Sequence, residues 1–187
     1  MNSYIDREIY LRKLINRRDN GEVKIITGTR RCGKSWLLKK VYYNYLIAQG
    51  VAEKNIICVS FDTDEDIFGE DILDPIVLKR HLYSRITNDS ENYYVFLDEI
   101  QMVDGFERIV NGLNAHDNID VYITGSNSKF LSSDLNTIFR GRGDEVRVYP
   151  FSFKEFCIGR TETVNDLWKE YYTYGGMPAL RNQPTPE

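Results

Sequence analysis

The 187-residue chain carries a net charge of −4, with 42 % apolar and 28 % charged residues, a globular rather than a disordered balance. So small a negative charge leaves no bulk attraction to nucleic acid, only room for a local patch. No apolar run approaches ~18 residues, which excludes a membrane-spanning helix.

The first residues, Met1-Asn2-Ser3-Tyr4-Ile5-Asp6, lack an apolar signal core. Cys32, Cys58 and Cys157 are odd in number and unevenly spaced; they read as reduced thiols of a cytoplasmic protein, not as a disulfide frame or a zinc site.

Residues 6–18 pattern as an amphipathic helix, with Ile9, Leu11, Leu14 and Ile15 as its apolar stripe and Arg12, Lys13, Arg17 and Arg18 as a basic flank. A packing helix with a solvated face is preferred to a nucleic-acid patch. After the turn signal Asn20-Gly21, Val23 to Thr27 reads as a strand. A helix over 34–48 follows, with Leu37, Leu38, Val41, Tyr45 and Leu46 at helical spacing and Gly50 at its end. Ile56 to Phe61 is a near-continuous apolar run, as in a strand covered on both faces.

The acidic stretch 62–71 fails as an EF-hand, because Ile67 stands where the loop needs glycine and Leu73 where it needs glutamate. It reads as a solvated loop. Asp74-Pro75 opens a helix over 74–87 as N-cap and first residue, with His81 as an ordinary ring within it. Tyr93 to Leu97 is a third strand, residues 105–115 a helix and Ile119 to Thr124 a fourth strand. His116 has no second ligand at metal spacing. A helix over about 128–139 leads to Arg140-Gly141-Arg142-Gly143, and Glu145 to Tyr149 is a fifth strand stopped by Pro150. Ser152 and Glu155 form a capping box, and a last helix over 163–174 ends at Gly175-Gly176. The tail 181–187 reads as a linker toward further chain.

Strands alternating with helices predict an α/β fold with a mostly parallel sheet covered on both faces. Ligands of such sheets sit at the carboxyl ends of the strands, and three polar groups fall there. After strand one comes Gly28-Thr29-Arg30-Arg31-Cys32-Gly33-Lys34-Ser35, a full match to G-x-x-x-x-G-K-S/T between a strand and a helix. Its backbone N–H groups at a helix N-terminus suit a triphosphate. Lys34 suits the β- and γ-phosphates, and the Ser35 hydroxyl suits Mg²⁺. Trp36 adjoins the loop.

After strand three come Asp98 and Glu99. A carboxylate ending a buried strand is costly unless paired, and Asp98 bound to Mg²⁺ removes that cost. Glu99 is then placed to deprotonate an attacking water. The competing reading is two carboxylates capping a turn. After strand four, Ser126 is the first choice for holding that water or the γ-phosphate, with Asn127 and Thr124 behind it; Thr-Gly-Ser-Asn is equally good turn chemistry. The adjacent carboxylates favour hydrolysis over a small-molecule kinase or a GTPase, and with no N-K-x-D segment ATP is favoured over GTP. Arg140 and Arg142 are candidates for neutralising transition-state charge, in the same chain or across an interface.

These residues in this order resemble an AAA+-type P-loop ATPase of the additional-strand, catalytic-glutamate class. More narrowly, they resemble the archaeal and bacterial ATPases with G-x-R-x-x-G-K-S/T, L-D-E-I-Q, T-G-S, G-R, P-x-S-F-x-E-F/Y and Y-G-G-x-P. Here these are Gly28 to Ser35 with Arg30 in place, Leu97 to Gln101, Thr124 to Ser126, Gly141-Arg142, Pro150 to Phe156 and Tyr174 to Pro178.

The resemblance implies a P-loop NTPase three-layer sandwich with strand order 5-1-4-3-2, ATP and Mg²⁺ as cofactors, and Arg142 as the arginine finger. It also implies an N-terminal helix at 1–20, an ATPase core at 21–160 and, from 161 to 187, the start of a helical lid or winged-helix region. In fuller relatives that region leads to a nuclease-like domain. The partners it brings are a homo-oligomer and nucleic acid reached through regions outside this chain. A slow ATP-dependent switch and a nucleic-acid-linked motor stand as alternatives to a turning-over ATPase.

Overall fold

The computed structural model describes residues 5–63, 66–67, 70–125, 139 and 141–179. The chain opens with helix α1 (Glu8–Arg17) and strand β1 (Val23–Thr27). Helix α2 then runs unbroken from 34 to 48, α-helical at Lys34–Trp36, π-helical at Leu37–Tyr42 and α-helical again at Tyr43–Ala48. Strand β2 (Ile56–Ser60) is followed by the short strands β3 (Asp66–Ile67) and β4 (Glu70–Asp71) and by helix α3 (Pro75–Arg85). Next come β5 (Tyr93–Asp98), α4 (Phe106–Leu113), β6 (Ile119–Thr124) and β7 (Gly143–Arg147). Helices α5 (Phe153–Cys157) and α6 (Val164–Tyr174) close the described chain.

Five strands form one sheet in the order β2-β5-β6-β1-β7. Every pairing in it is parallel. Counted along the chain without the short pair, the order reads 5-1-4-3-2.

A parallel sheet needs both faces covered, and β1, β5 and β6 are buried at every residue. On one face Val23, Ile25, Val59, Val95, Leu97 and Ile123 pack with Leu78 and Leu82 of α3 and Ile109, Val110 and Leu113 of α4. On the other, Ile26, Phe96 and Tyr122 pack with Leu14 of α1 and Leu37, Leu38, Val41 and Tyr42 of α2. That second face also buries an ion pair: Lys24 is 0 % exposed and donates to Asp120, which accepts the Tyr122 hydroxyl as well.

Several expectations are corrected. In α1, Ile9 is 66 % exposed, and the buried stripe is Tyr10 and Leu14. Period alone did not set the rotation of the helix; packing on α2 and β7 does. The acidic stretch is not simply a loop, because β3 and β4 pair antiparallel within it. The fifth strand begins at Gly143, beside Val23 of β1, and stops at Arg147, leaving Tyr149 outside it and exposed. Of the helix expected over about 128–139, only Phe139 falls among the described residues, in a turn.

The basic flank of α1 is largely engaged. Arg12 pairs with Glu8, Arg17 with Asp144, and Arg18 with Asp19 and Tyr94. Among the described residues no helix is long and apolar enough to cross a membrane.

Candidate nucleotide site

The segment between β1 and α2 is held in a shape that only its sequence permits. Gly28 has φ +144°, and a Cβ there would lie 2.2 Å from the Val148 carbonyl oxygen and 2.9 Å from Cys32 Sγ. Any side chain would therefore push the loop off the strand beside it. Cys32 is fully buried, and its thiol donates to the same carbonyl at 3.4 Å. Arg31 adopts φ +65° and Gly33 φ +101°, so the loop curls before α2 begins. Thr29, Arg30 and Arg31 are exposed. The N–H groups at the start of α2 have no intrahelical acceptor, which is what makes a helix start an anion site.

Lys34 is buried over this loop, with Nζ 3.3 Å from the carbonyl oxygens of Gly28 and of Thr29 and 3.7 Å from Glu99 Oε1. The Ser35 hydroxyl donates to Asp98 Oδ1 at 3.0 Å. Asp98 is 1 % exposed at the end of β5, and its Oδ1 also accepts the Thr124 hydroxyl at 2.6 Å. Its Oδ2 lies 3.7 Å from Lys39 Nζ, and Lys39 donates to the Ser60 hydroxyl at the end of β2. The Glu99 N–H donates back to Thr124 Oγ1 at 2.9 Å, and Glu99 itself sits at φ +58°. Gln101 Nε2 donates to Glu99 Oε2 at 2.5 Å.

Four strand ends thus meet at one place: β1 through its loop, β5 through Asp98, β6 through Thr124 and β2 through Ser60. Arg30, Arg31, Gly33, Lys34, Ser35, Trp36 and Glu99 line one cleft of about 530 Å³, together with Asp62, Gln101 and Met102. The hard oxygens of Ser35 and Asp98, side by side, are the donor type that Mg²⁺ takes. Among the described residues no cluster of three His, Cys, Asp or Glu side chains forms a metal cage of its own.

Other sequence candidates fare differently. Ser126, Asn127 and Arg140 lie outside the described residues. Arg142 is exposed and its carbonyl accepts from Val23 N at 2.8 Å, so it stands at the start of β1. The loop lies beyond the other end of that strand, about 16 Å away at ~3.3 Å per residue. Parallel pairing of β7 with β1 holds Arg142 at the far end of the sheet from its own cleft.

Thr124, ranked third by its sequence, is the β6 residue that touches Asp98 and Glu99. Lys39 was not singled out, although it lies five residues beyond Lys34 on α2. Arg7 was missed as well. It is 2 % exposed, with NH1 donating to Cys32 O at 2.9 Å, NH2 to Tyr149 O at 2.6 Å and Nε to Glu155 Oε1 at 2.9 Å. Nothing local in the sequence marks it, because all three partners are remote. The capping box is present, and the Gly175-Gly176 segment is tied to it through Phe151 N, which donates to Gly176 O at 2.7 Å.

Comparison with known proteins bears on the family and the fold. An uncharacterised protein of Haemophilus influenzae is 39 % identical over 181 residues, covering 94 % of this chain and 44 % of the relative. An uncharacterised protein of Methanocaldococcus jannaschii is 29 % identical over 190 residues, covering 94 % and 39 %. The chain thus spans less than half the length of these relatives.

Among solved structures, AMPPCP-bound DnaA from Aquifex aeolicus superposes with a TM-score of 0.59 at 15 % identity, covering 97 % of this chain and 60 % of that one. C. elegans PCH-2 gives 0.54 at 14 %, covering 83 % and 45 %. The Aeropyrum pernix ORC1 protein in complex with DNA gives 0.54 at 12 %, covering 91 % and 51 %. These share the α/β P-loop fold. A family model described as an AAA domain matches residues 20–157, and the chain belongs to that family.

Proposed function

We propose that this chain binds ATP with Mg²⁺ and hydrolyses it, driving conformational change in a larger protein or an oligomer. The observation that carries this reading is the convergence of Lys34, Ser35 and Glu99 in one cleft at the carboxyl ends of the strands, with buried Asp98 accepting the Ser35 hydroxyl. A nucleotide holder needs only the loop; the added carboxylate pair supplies hydrolysis.

The chemistry follows from the side chains. Residues 29 to 35 offer backbone donors to the phosphates. Lys34 exchanges two long carbonyl contacts for phosphate oxygens, which hold an ammonium more strongly. Ser35 and Asp98 are the residues that would hold Mg²⁺, whose chemistry is to neutralise developing charge on the β- and γ-oxygens. Thr124 fixes both carboxylate residues, through the Asp98 carboxylate and the Glu99 N–H. Glu99 accepts a proton from water as the water oxygen bonds to the γ-phosphorus. The bond to the β–γ bridging oxygen breaks, leaving ADP and phosphate.

Arg142 enters this reading only from a neighbouring copy, as a finger across an oligomer interface. The division at 1–20, 21–160 and 161–187, with a lid, winged helix and nuclease-like domain in longer relatives, belongs to the same proposal. Nucleic acid as a partner gains no support from α1, whose arginines are paired within the chain.

The test is nucleotide titration and phosphate release for the wild type and Lys34→Ala, each with Mg²⁺ and with chelator. Binding and release that vanish in Lys34→Ala support the reading, and unchanged release in that variant refutes it. Tight binding with one slow turnover would identify the switch rather than the turning-over enzyme.

A further inference from the structure

Arg7 lies outside the matched AAA region, and the proposed hydrolysis does not use it. Yet it is 2 % exposed and fully engaged beside the loop. Its guanidinium is buried between the rings of Tyr10, at 4.6 Å, and Phe151, at 5.0 Å. Each of its three nitrogens donates to a different segment: Cys32 in the loop, Tyr149 after β7, and Glu155 in the capping box. Its backbone adopts φ +50°, a left-handed conformation that a non-glycine residue takes only when its surroundings impose it.

The bond to Cys32 has a directional consequence. A trans peptide points its C=O and its N–H in opposite directions. The Cys32 carbonyl and the Gly33 N–H belong to one such peptide. Holding the carbonyl outward at 2.9 Å on Arg7 turns the Gly33 N–H the other way, and Gly33 lines the cleft. A charged donor on the carbonyl also polarises the peptide and strengthens that N–H as a donor. An apolar side chain at position 7 would fill the same space and give no direction.

We propose that Arg7 is a positioning residue for phosphate binding, aiming the Gly33 N–H into the cleft, with Glu155 fixing the guanidinium. This rests on the nucleotide reading above. Because Glu155 opens α5, the same contact links phosphate binding to the segment 149–156, and by reciprocity nucleotide stabilises that segment.

Two variants and one wild-type measurement test it. Arg7→Lys keeps the charge and the packed stem, but one ammonium cannot serve three separated acceptors. We expect a folded protein whose ATP Kd and KM rise about tenfold, the worth of one charged hydrogen bond, with kcat nearly unchanged. Glu155→Gln keeps both carbonyl contacts but loosens the guanidinium, and is expected to melt earlier and to raise the ATP Kd by about threefold, less than Arg7→Lys does. Equal loss of stability in both variants with wild-type affinity in both overturns the proposal.

In the wild type, adding ATP is expected to shift the Gly33 amide and the Arg7 Nε–H resonances together. A Gly33 shift beside an unmoved Arg7 signal overturns this inference alone. If neither signal moves, the nucleotide reading beneath it falls as well.

Discussion

The Ser35 hydroxyl donates to Asp98 Oδ1 at 3.0 Å across 63 residues of chain. That contact joins the first turn of α2 to the end of β5. It brings an uncharged oxygen and a buried carboxylate to one point, the pairing that a divalent cation next to phosphate requires.

If this point holds Mg²⁺, ATP affinity should rise with Mg²⁺ in the wild type and fall on chelation. In Asp98→Asn, which keeps the shape and removes the charge, the response should disappear. Titration of a fluorescent ATP analogue with and without chelator checks it. A variant that keeps the full Mg²⁺ response would remove Asp98 from the site.

Glu99→Gln tests the base. The amide cannot take a proton from water, so single-turnover phosphate release should fall by about 10²- to 10⁴-fold. Nucleotide affinity should stay within a few fold, because Gln preserves volume and the Glu99 N–H bond to Thr124 is backbone. Release at the wild-type rate would falsify the assignment.

Gly28→Ala tests whether the loop's shape depends on glycine. The new methyl would meet the Val148 carbonyl at 2.2 Å, at φ +144°. Backbone strain and the clash together should cost about 3 kcal/mol or more. The urea midpoint reads it, and an unchanged midpoint would mean that β7 yields easily.

Tyr42 and Tyr122 share a hydrogen bond of 2.6 Å. Burial pushes both phenols above the ordinary value near 10. With the folded value raised, their contribution to stability is fully present below pH ~10 and is lost as pH climbs through the folded values. In an alkaline titration the last tyrosines to ionise should do so together with unfolding, followed by tyrosinate absorbance and circular dichroism. Complete ionisation before any unfolding would contradict it.

The central elements were legible because their signals are local. Apolar runs such as Val95-Phe96-Leu97 mark buried strands within a short window. The Gly28 to Ser35 spacing names its own backbone shape, and Ser152 with Glu155 names a helix start. Asp98 stood out as a carboxylate ending an apolar strand. Ile9 misled because a helical stripe of two turns fits more than one rotation, and only packing against α2 and β7 selects Tyr10 and Leu14. Arg7 and Lys39 were invisible for another reason: a surface arginine and a buried one have the same sequence signature until their partners are known.

By itself, the sequence determined the alternation of strands and helices, the curled loop between β1 and α2, and the placing of Asp98 and Glu99 at a strand end. Glycine freedom, residue periodicity and capping act over a few residues, so a few residues suffice to write them. Tertiary structure decided which hydroxyl reaches Asp98, that Arg7 stands behind Cys32, and that Arg142 lies at the far end of its own sheet. These depend on the order and register of parallel strands, which bring together residues tens of positions apart, and no short stretch of sequence contains that information.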